Sequence, residues 1–155
     1  MQATSIDIIP FESEYATHFY ELNAAWLEKY FYIEPYDEKV LSNPKKYILQ
    51  SGGFIFFAKI NSEILGTVAL INQGSFFELS KMAVTPAYQG KKIGLKLMEY
   101  CIQFSRAQQW KSITLYSHRK LVPAIQLYQK IGFQEIPLEE KSHYERSDIK
   151  MRFDL

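Results

Sequence analysis

Between an apolar run ending at Val84 and an amphipathic run starting near Ile93, the chain reads Gln89-Gly90-Lys91-Lys92-Ile93-Gly94. A strand-to-helix junction of this kind points free backbone N–H groups, at the positive end of the helix dipole, toward an anion. Phosphate is the natural ligand. Glycines let the backbone approach it closely, and Lys91 and Lys92 add charge beside the donors. The segment is not a Walker loop, because Gly90 and Gly94 are one residue too close and no Lys-Ser or Lys-Thr pair follows, and it is not G-x-G-x-x-G. On its own it is as compatible with an ordinary glycine-containing helix start as with an anion site. Glu78 is a carboxylate in an otherwise apolar run, where partial burial would raise its pKa toward the range of a general base. His118, just past another such run, is a second titratable candidate, although a loop histidine is more often plain surface. Cys101 falls on an apolar helix stripe and reads as core, which gives a covalent acyl-cysteine route little support.

The elements that must carry these residues follow from periodicity. SIDIIP (5–10) reads as a short strand, and Phe19, Leu22, Trp26 and Tyr30 recur at helical spacing after Ser13. Glu34-Pro35-Tyr36-Asp37 breaks that helix, and a second, shorter one is expected over 38 to about 50, interrupted near Asn43-Pro44. FIFFAKI and EILGTVALI, joined by Asn61-Ser62, form an antiparallel hairpin. In FFELSKMAV (76–84), Phe77 and Leu79 share one alternation phase while Met82 and Val84 share the other. If all four are core, the strand slips phase near Ser80-Lys81, as one extra residue in a β-bulge would make it do. Lys91 to about Gln108 is an amphipathic helix, SITLYS (112–117) a strand and Val122–Lys130 a helix ending at Gly132, and FQEIPL and DIKMRFDL are closing strands. The order β-α-α-β-β-β-α-β-α-β-β predicts a mixed α/β (α+β) fold around a largely antiparallel sheet.

Composition bounds the rest. The 155 residues are 47% hydrophobic and 23% charged, the balance of one globular domain spanning 1–155. A chain of this length buries roughly two-thirds of its unfolded surface without staples. One cysteine and three histidines (His18, His118, His143) give neither a disulfide nor zinc-ligand spacing, so no metal site is expected. Eighteen basic against 17 acidic residues leave a net charge of +1, too little to hold nucleic acid or an anionic membrane, so any anion site is local. No leader-like or membrane-spanning run occurs, and a cytoplasmic protein is expected.

ELSKMAVTPAYQGKKIGLKLM followed by LYSHRKLVPAIQLYQKIGFQE resembles the acetyl-CoA-binding core of the GNAT N-acetyltransferase superfamily. Gln89, Ile93 and Gly94 match its (Gln/Arg)-x-x-Gly-x-(Gly/Ala) motif, and Ala124, Leu127, Tyr128, Gly132 and Phe133 match its A-x-x-L-Y-x-x-x-G-F spacing. Two positions depart. Lys92 replaces the first motif glycine, the residue type suited to a left-handed or unusually close backbone, and Leu121 stands where many members have asparagine. Weakened rather than lost cofactor binding is expected at Lys92, and one fewer hydrogen bond at Leu121. The resemblance implies a sheet with a splayed, bulged strand and about four flanking helices. It also implies that the pantetheine arm of acetyl-CoA lies in the splay along the backbone of Met82, Ala83 and Val84, with its pyrophosphate on Gln89–Gly94. One of the strand amides would stabilise the oxyanion.

Acyl transfer to an amine needs a neutral nucleophile, which makes Glu78 the candidate base, with His118 or water as alternatives. Tyr128 matches the tyrosine that often protonates the leaving thiolate in the family. The acceptor, a small-molecule or peptide amine, is expected among aromatics including Trp26, Tyr30, Phe31, Tyr32, Tyr36 and Tyr144, beside Glu34, Asp37 or Glu78. Core packing is the bland reading for most of these aromatics. The competing function is a non-catalytic acyl-CoA sensor or partner-binding module. A nucleic-acid binder using Lys91, Lys92 and Lys96 fits the charge balance poorly. Sheet edges or the final hairpin are compatible with a homodimer.

Overall fold

Hairpin chemistry builds the first half of the sheet. In the computed structural model, which describes residues 5–139 and 145–155, β1 (Asp7–Pro10), β2 (Phe54–Ile60), β3 (Glu63–Asn72) and β4 (Phe77–Val84) are successive antiparallel neighbours. Asn61 takes a left-handed φ of 56° in the two-residue turn between β2 and β3, a conformation asparagine tolerates. β5 (Ser112–Ser117) lies parallel to β4. β7 (Ile149–Asp154) is antiparallel to β5, and β6 (Gln134–Ile136) closes the far edge.

Four α-helices flank this sheet among the described residues: α1 (Ala16–Tyr30), α2 (Pro35–Ser42), α3 (Ile93–Ala107) and α4 (Val122–Ile131). One core, with Phe56, Leu79, Leu97, Ile113 and Met151, packs between the sheet and α3, with α4 residues against it. A second, with Phe19, Leu27, Leu41, Ile48 and Phe57, joins the other face to α1 and α2. None of these helices is long and apolar enough to cross a membrane.

Two helices differ in detail from the periodicity. On α1 the fully buried line is Phe19, Asn23, Leu27, which turns Leu22, Trp26 and Tyr30 to a half-buried flank. Asn23 is admitted because its Nδ2 donates to the Phe19 carbonyl at 3.0 Å. α2 starts three residues before position 38, because Pro35 is suited to a first turn and Glu34 and Asp37 form a reciprocal capping box. It stops at Ser42, and a single π-turn (Lys45–Leu49) follows the expected break at Asn43-Pro44.

The phase slip falls where the sequence puts it. Thr67 pairs with Ala83 and Ala69 with Ser80, so two β4 residues, Lys81 and Met82, stand opposite one on β3. Lys81 is left-handed, with φ of 56°. Phe77, Leu79, Met82 and Val84 consequently all reach the α3-side core.

Candidate active site

The bulged strand leaves its neighbour. β4 and β5 pair at Phe77–Ile113 and Glu78–Thr114, and among the described residues the remaining stretch of β4 to Val84 has no strand partner on that side. Past the strand end, the Gln89 side chain donates to the Val84 carbonyl at 3.3 Å, and the loop turns into α3 through left-handed Gly90 (φ 82°) and Lys92 (φ 64°). Lys92 therefore adopts the left-handed conformation that favours glycine. Its side chain is exposed, and the strain of about 1–2 kcal/mol is carried by one residue. The Lys96 backbone amide, donating to the Lys92 carbonyl at 3.1 Å, closes the first turn of α3. The amides of Ile93, Gly94 and Leu95 precede that bond and are the orphan donors of the helix start. A Cβ on Gly90 would meet nothing within 4 Å, and one on Gly94 would lie 3.8 Å from Met82 Cε, so the loop backbone is open to close approach.

Where the strands part, a cavity of about 500 Å³ opens. Glu78, Met82, Trp26, Tyr30, Phe31 and Tyr128 all line it, which brings both expected catalytic side chains and three of the expected acceptor aromatics to one space. Ala83 and Val84 continue along β4, and Gln89–Gly94 form the separate loop beyond its end. Glu78 is only 4% exposed, and its Oε1 accepts a 2.7 Å hydrogen bond from Gln73 Nε2. Burial pushes the Tyr128 hydroxyl up to about 12, so the phenol stays protonated across the physiological range. Trp26 lies 5.2 Å from Tyr30 and 5.7 Å from Phe31, ring centre to ring centre, forming an aromatic wall.

Tyr36 is absent from that wall. It packs half-buried against the α1/α2 core, where burial, then the charge of Glu78, raises its hydroxyl pKa. Tyr32 is exposed and donates to Glu145 at 2.7 Å. Tyr144 lies outside the described residues. His118 borders the cavity, but its Nδ1 accepts the Lys120 amide at 3.0 Å and its Nε2 faces Asp148 at 3.3 Å. Both ring nitrogens are thus engaged, and neither offers a free lone pair to an incoming amine. Cys101 is fully buried, and burial raises its thiol pKa, as suits a core residue.

A buried ionic network stands behind the cavity. Arg146 binds Asp37 with two nitrogens, each at 2.8 Å, and reaches Glu34 at 2.9 Å. Lys81 Nζ lies 3.1 Å from Asp37, whose carboxylate also accepts the Glu34 amide at 2.9 Å. Burial alone would push the Asp37 carboxyl up, but the Arg146 guanidinium, the Lys81 ammonium and the Glu34 amide outweigh it and hold its pKa below the ordinary value. The Lys81 pKa is lowered by burial and only partly restored by Asp37. Glu34 and Asp37 therefore neutralise these two cations, which corrects the expectation that either would face an acceptor ammonium. Glu34-Pro35-Tyr36-Asp37 carried a readable capping signal. Lys81 and Arg146 carried none, because their partners lie 44 and 109 residues away.

Comparison with known proteins accounts for this architecture. The Acetyltransferase (GNAT) family matches residues 9–133. The chain belongs to the GNAT acetyltransferase family. A GNAT-family acetyltransferase of Staphylococcus aureus Mu50 superposes with a TM-score of 0.84 at 26% identity, covering 97% of this chain and 99% of that one. PaiA N-acetyltransferase of Thermoplasma acidophilum, solved in complex with coenzyme A, shares the fold with a TM-score of 0.76 at 22% identity, over 97% and 99% of the two chains. Among curated proteins, the spore coat polysaccharide biosynthesis protein SpsD of Bacillus subtilis is 31% identical over 87 residues, 56% of this chain and 29% of that protein. An uncharacterized N-acetyltransferase of Schizosaccharomyces pombe is 31% identical over 97 residues, 61% of this chain and 60% of that one. The chain thus spans less than two thirds of either curated relative. The GNAT match takes in Glu78, the Gln89–Gly94 loop and Tyr128, and it ends before Arg146.

Proposed function

We propose that this GNAT protein transfers the acetyl group of acetyl-CoA to a primary amine of a small molecule, amino acid derivative or peptide, by direct attack within a ternary complex. One observation carries the reading: the gap between β4 and β5 leads from a cavity holding Glu78 and Tyr128 to the left-handed loop and orphan amides at the start of α3. The residues present fit the co-substrate. Orphan amides and open glycine backbone suit a pyrophosphate, and unpaired strand backbone suits an extended pantetheine arm. Acetyl-CoA supplies an activated thioester.

The chain's own groups do the remaining work. Glu78 takes a proton from the acceptor ammonium, directly or through water, which frees the nitrogen lone pair for the carbonyl carbon. An amide of Met82, Ala83 or Val84 donates to the carbonyl oxygen as it gains charge. Tyr128, protonated in its partly buried setting, gives its proton to the sulfur as the carbon–sulfur bond breaks, and the second proton that the nitrogen sheds in becoming an amide restores the phenol. Trp26, Tyr30 and Phe31 receive the body of the amine, and an aromatic face favours a cationic one. Calorimetric titration with acetyl-CoA, against ATP and NAD, tests the first step. Selective micromolar binding followed by acetylation in an amine screen supports the enzyme. Selective binding without turnover on any amine leaves the acyl-CoA sensor, and no binding removes both.

A further inference from the structure

Among the described residues outside glycine, Lys81 is one of four with a left-handed backbone, and of those four it alone lies within a strand and is buried. Glycine adopts that conformation without steric cost, whereas a lysine must be held there by its surroundings. The holding contact is plain. The Lys81 ammonium meets Asp37 at 3.1 Å, with the two side chains 4% and 0% exposed. Asp37 is itself fixed by two bonds from Arg146 and by the capping amide of Glu34 at the start of α2. The anchor is therefore a helix end and a guanidinium fork rather than a mobile side chain. Among the described residues the two cations face the carboxylates of Asp37 and Glu34, with the charge of Glu78 also acting on Lys81, and this opposition of charge lets the cluster be buried.

We infer that Lys81 is a positioning residue: its tether to Asp37 sets the direction in which β4 leaves the bulge, and so aims the following amides on the side away from β3, Met82 and Val84, into the gap beside β5. The inference rests on the acetyl-CoA reading above, since the gap matters only if a thioester occupies it. The bulge supplies the extra residue, and the ion pair fixes its orientation. A misplacement of about 1 Å in a positioned group can cost about 10²-fold, so the tether reaches the reaction without touching substrate.

Two variants remove the tether in different ways. Lys81→Gly suits the left-handed backbone and deletes the side chain. Lys81→Met combined with Asp37→Asn leaves Arg146 and Glu34 as a balanced buried pair, which favours folding. The readout is the ratio of calorimetric dissociation constants for CoA and acetyl-CoA, which isolates what the acetyl carbonyl adds. The wild type is expected to prefer acetyl-CoA by about threefold to tenfold, the worth of one hydrogen bond. Both variants are expected to lose that preference while CoA affinity, set at the α3 loop, stays within about twofold; Lys81→Arg restores part of it. A preference that survives in both variants, or equal affinity of the wild type for the two ligands, overturns the inference. Parallel loss of CoA and acetyl-CoA affinity in the variants also overturns it, because that is the mark of a merely structural lysine. Binding of neither ligand by the wild type instead strikes down the acetyl-CoA reading on which it rests.

Discussion

At the scale of the residue, the proposed chemistry divides between a carboxylate and a phenol on one cavity. With Glu78 as the base, Glu78→Gln is expected to slow turnover about 10²-fold or more near neutral pH, the usual worth of a positioned base. The deficit should shrink as pH rises toward the amine's own pKa, where the nucleophile needs no help. A pH–rate profile that keeps its shape would transfer the role to water, since both nitrogens of His118 are already engaged. Tyr128→Phe keeps the ring packed against Phe133 and removes only the hydroxyl. Turnover should fall at least about tenfold while acetyl-CoA affinity measured by calorimetry is unchanged. Equal rates would make Tyr128 a packing residue. That Glu78 and Tyr128 merit a test was legible because each stands in a local pattern, a lone charge in an apolar strand and a motif spacing on a helix, and the fold brings both to one cavity. The sequence placed Tyr36 on the acceptor wall for its type and neighbourhood, but the capping of α2 turns it into the adjoining core.

At the scale of the element, the proposed anion site is the first turn of α3 with the loop before it. Gly94 is not left-handed, and an added Cβ meets only Met82 Cε at 3.8 Å, so Gly94→Glu should fold normally. Its carboxylate would stand among the donors meant for pyrophosphate. Acetyl-CoA affinity should fall at least about tenfold, with Tm within a few degrees of wild type; unchanged affinity would dissociate the loop from the cofactor. Elements were the most legible part of the protein. Short turns, a proline and a C-cap glycine marked the boundaries of β2, β3, α3 and α4, and opposed alternation phases within β4 disclosed the bulge. What stayed hidden was that Lys92 would take the left-handed conformation despite its side chain. Residue type states a preference there, and the path of the chain from Gly90 into α3 decides the outcome.

At the scale of the molecule, the Glu34–Asp37–Lys81–Arg146 cluster ties α2, β4 and the approach to β7 together, and it was invisible in the sequence because ion pairs across such separations leave no periodic trace. Its contribution depends on pH with a definite sign. The folded pKa of Asp37 lies below the ordinary 3.8, so the stability it confers is complete above that value and is lost as pH falls through the folded pKa. Asp37→Asn should lower Tm by roughly 10 °C at neutral pH, as expected for breaking a buried pair. The Tm curves of the two proteins should converge as pH drops below 3.8; a constant offset would place the stabilisation elsewhere. The short seam between β4 and β5 has a mechanical consequence. Two residue pairs join a plate of four strands to a plate of three, and along the rest of the seam the two are held together by the shared α3-side core rather than by backbone pairing. Such plates are candidates for separate cooperative units, and a ligand lying along the seam acts as a splice between them. Native-state hydrogen exchange should resolve β1–β4 and β5–β7 as two protected blocks in the free protein and merge them into one on saturation with acetyl-CoA. The molecule that enters the seam to react would then also complete the sheet.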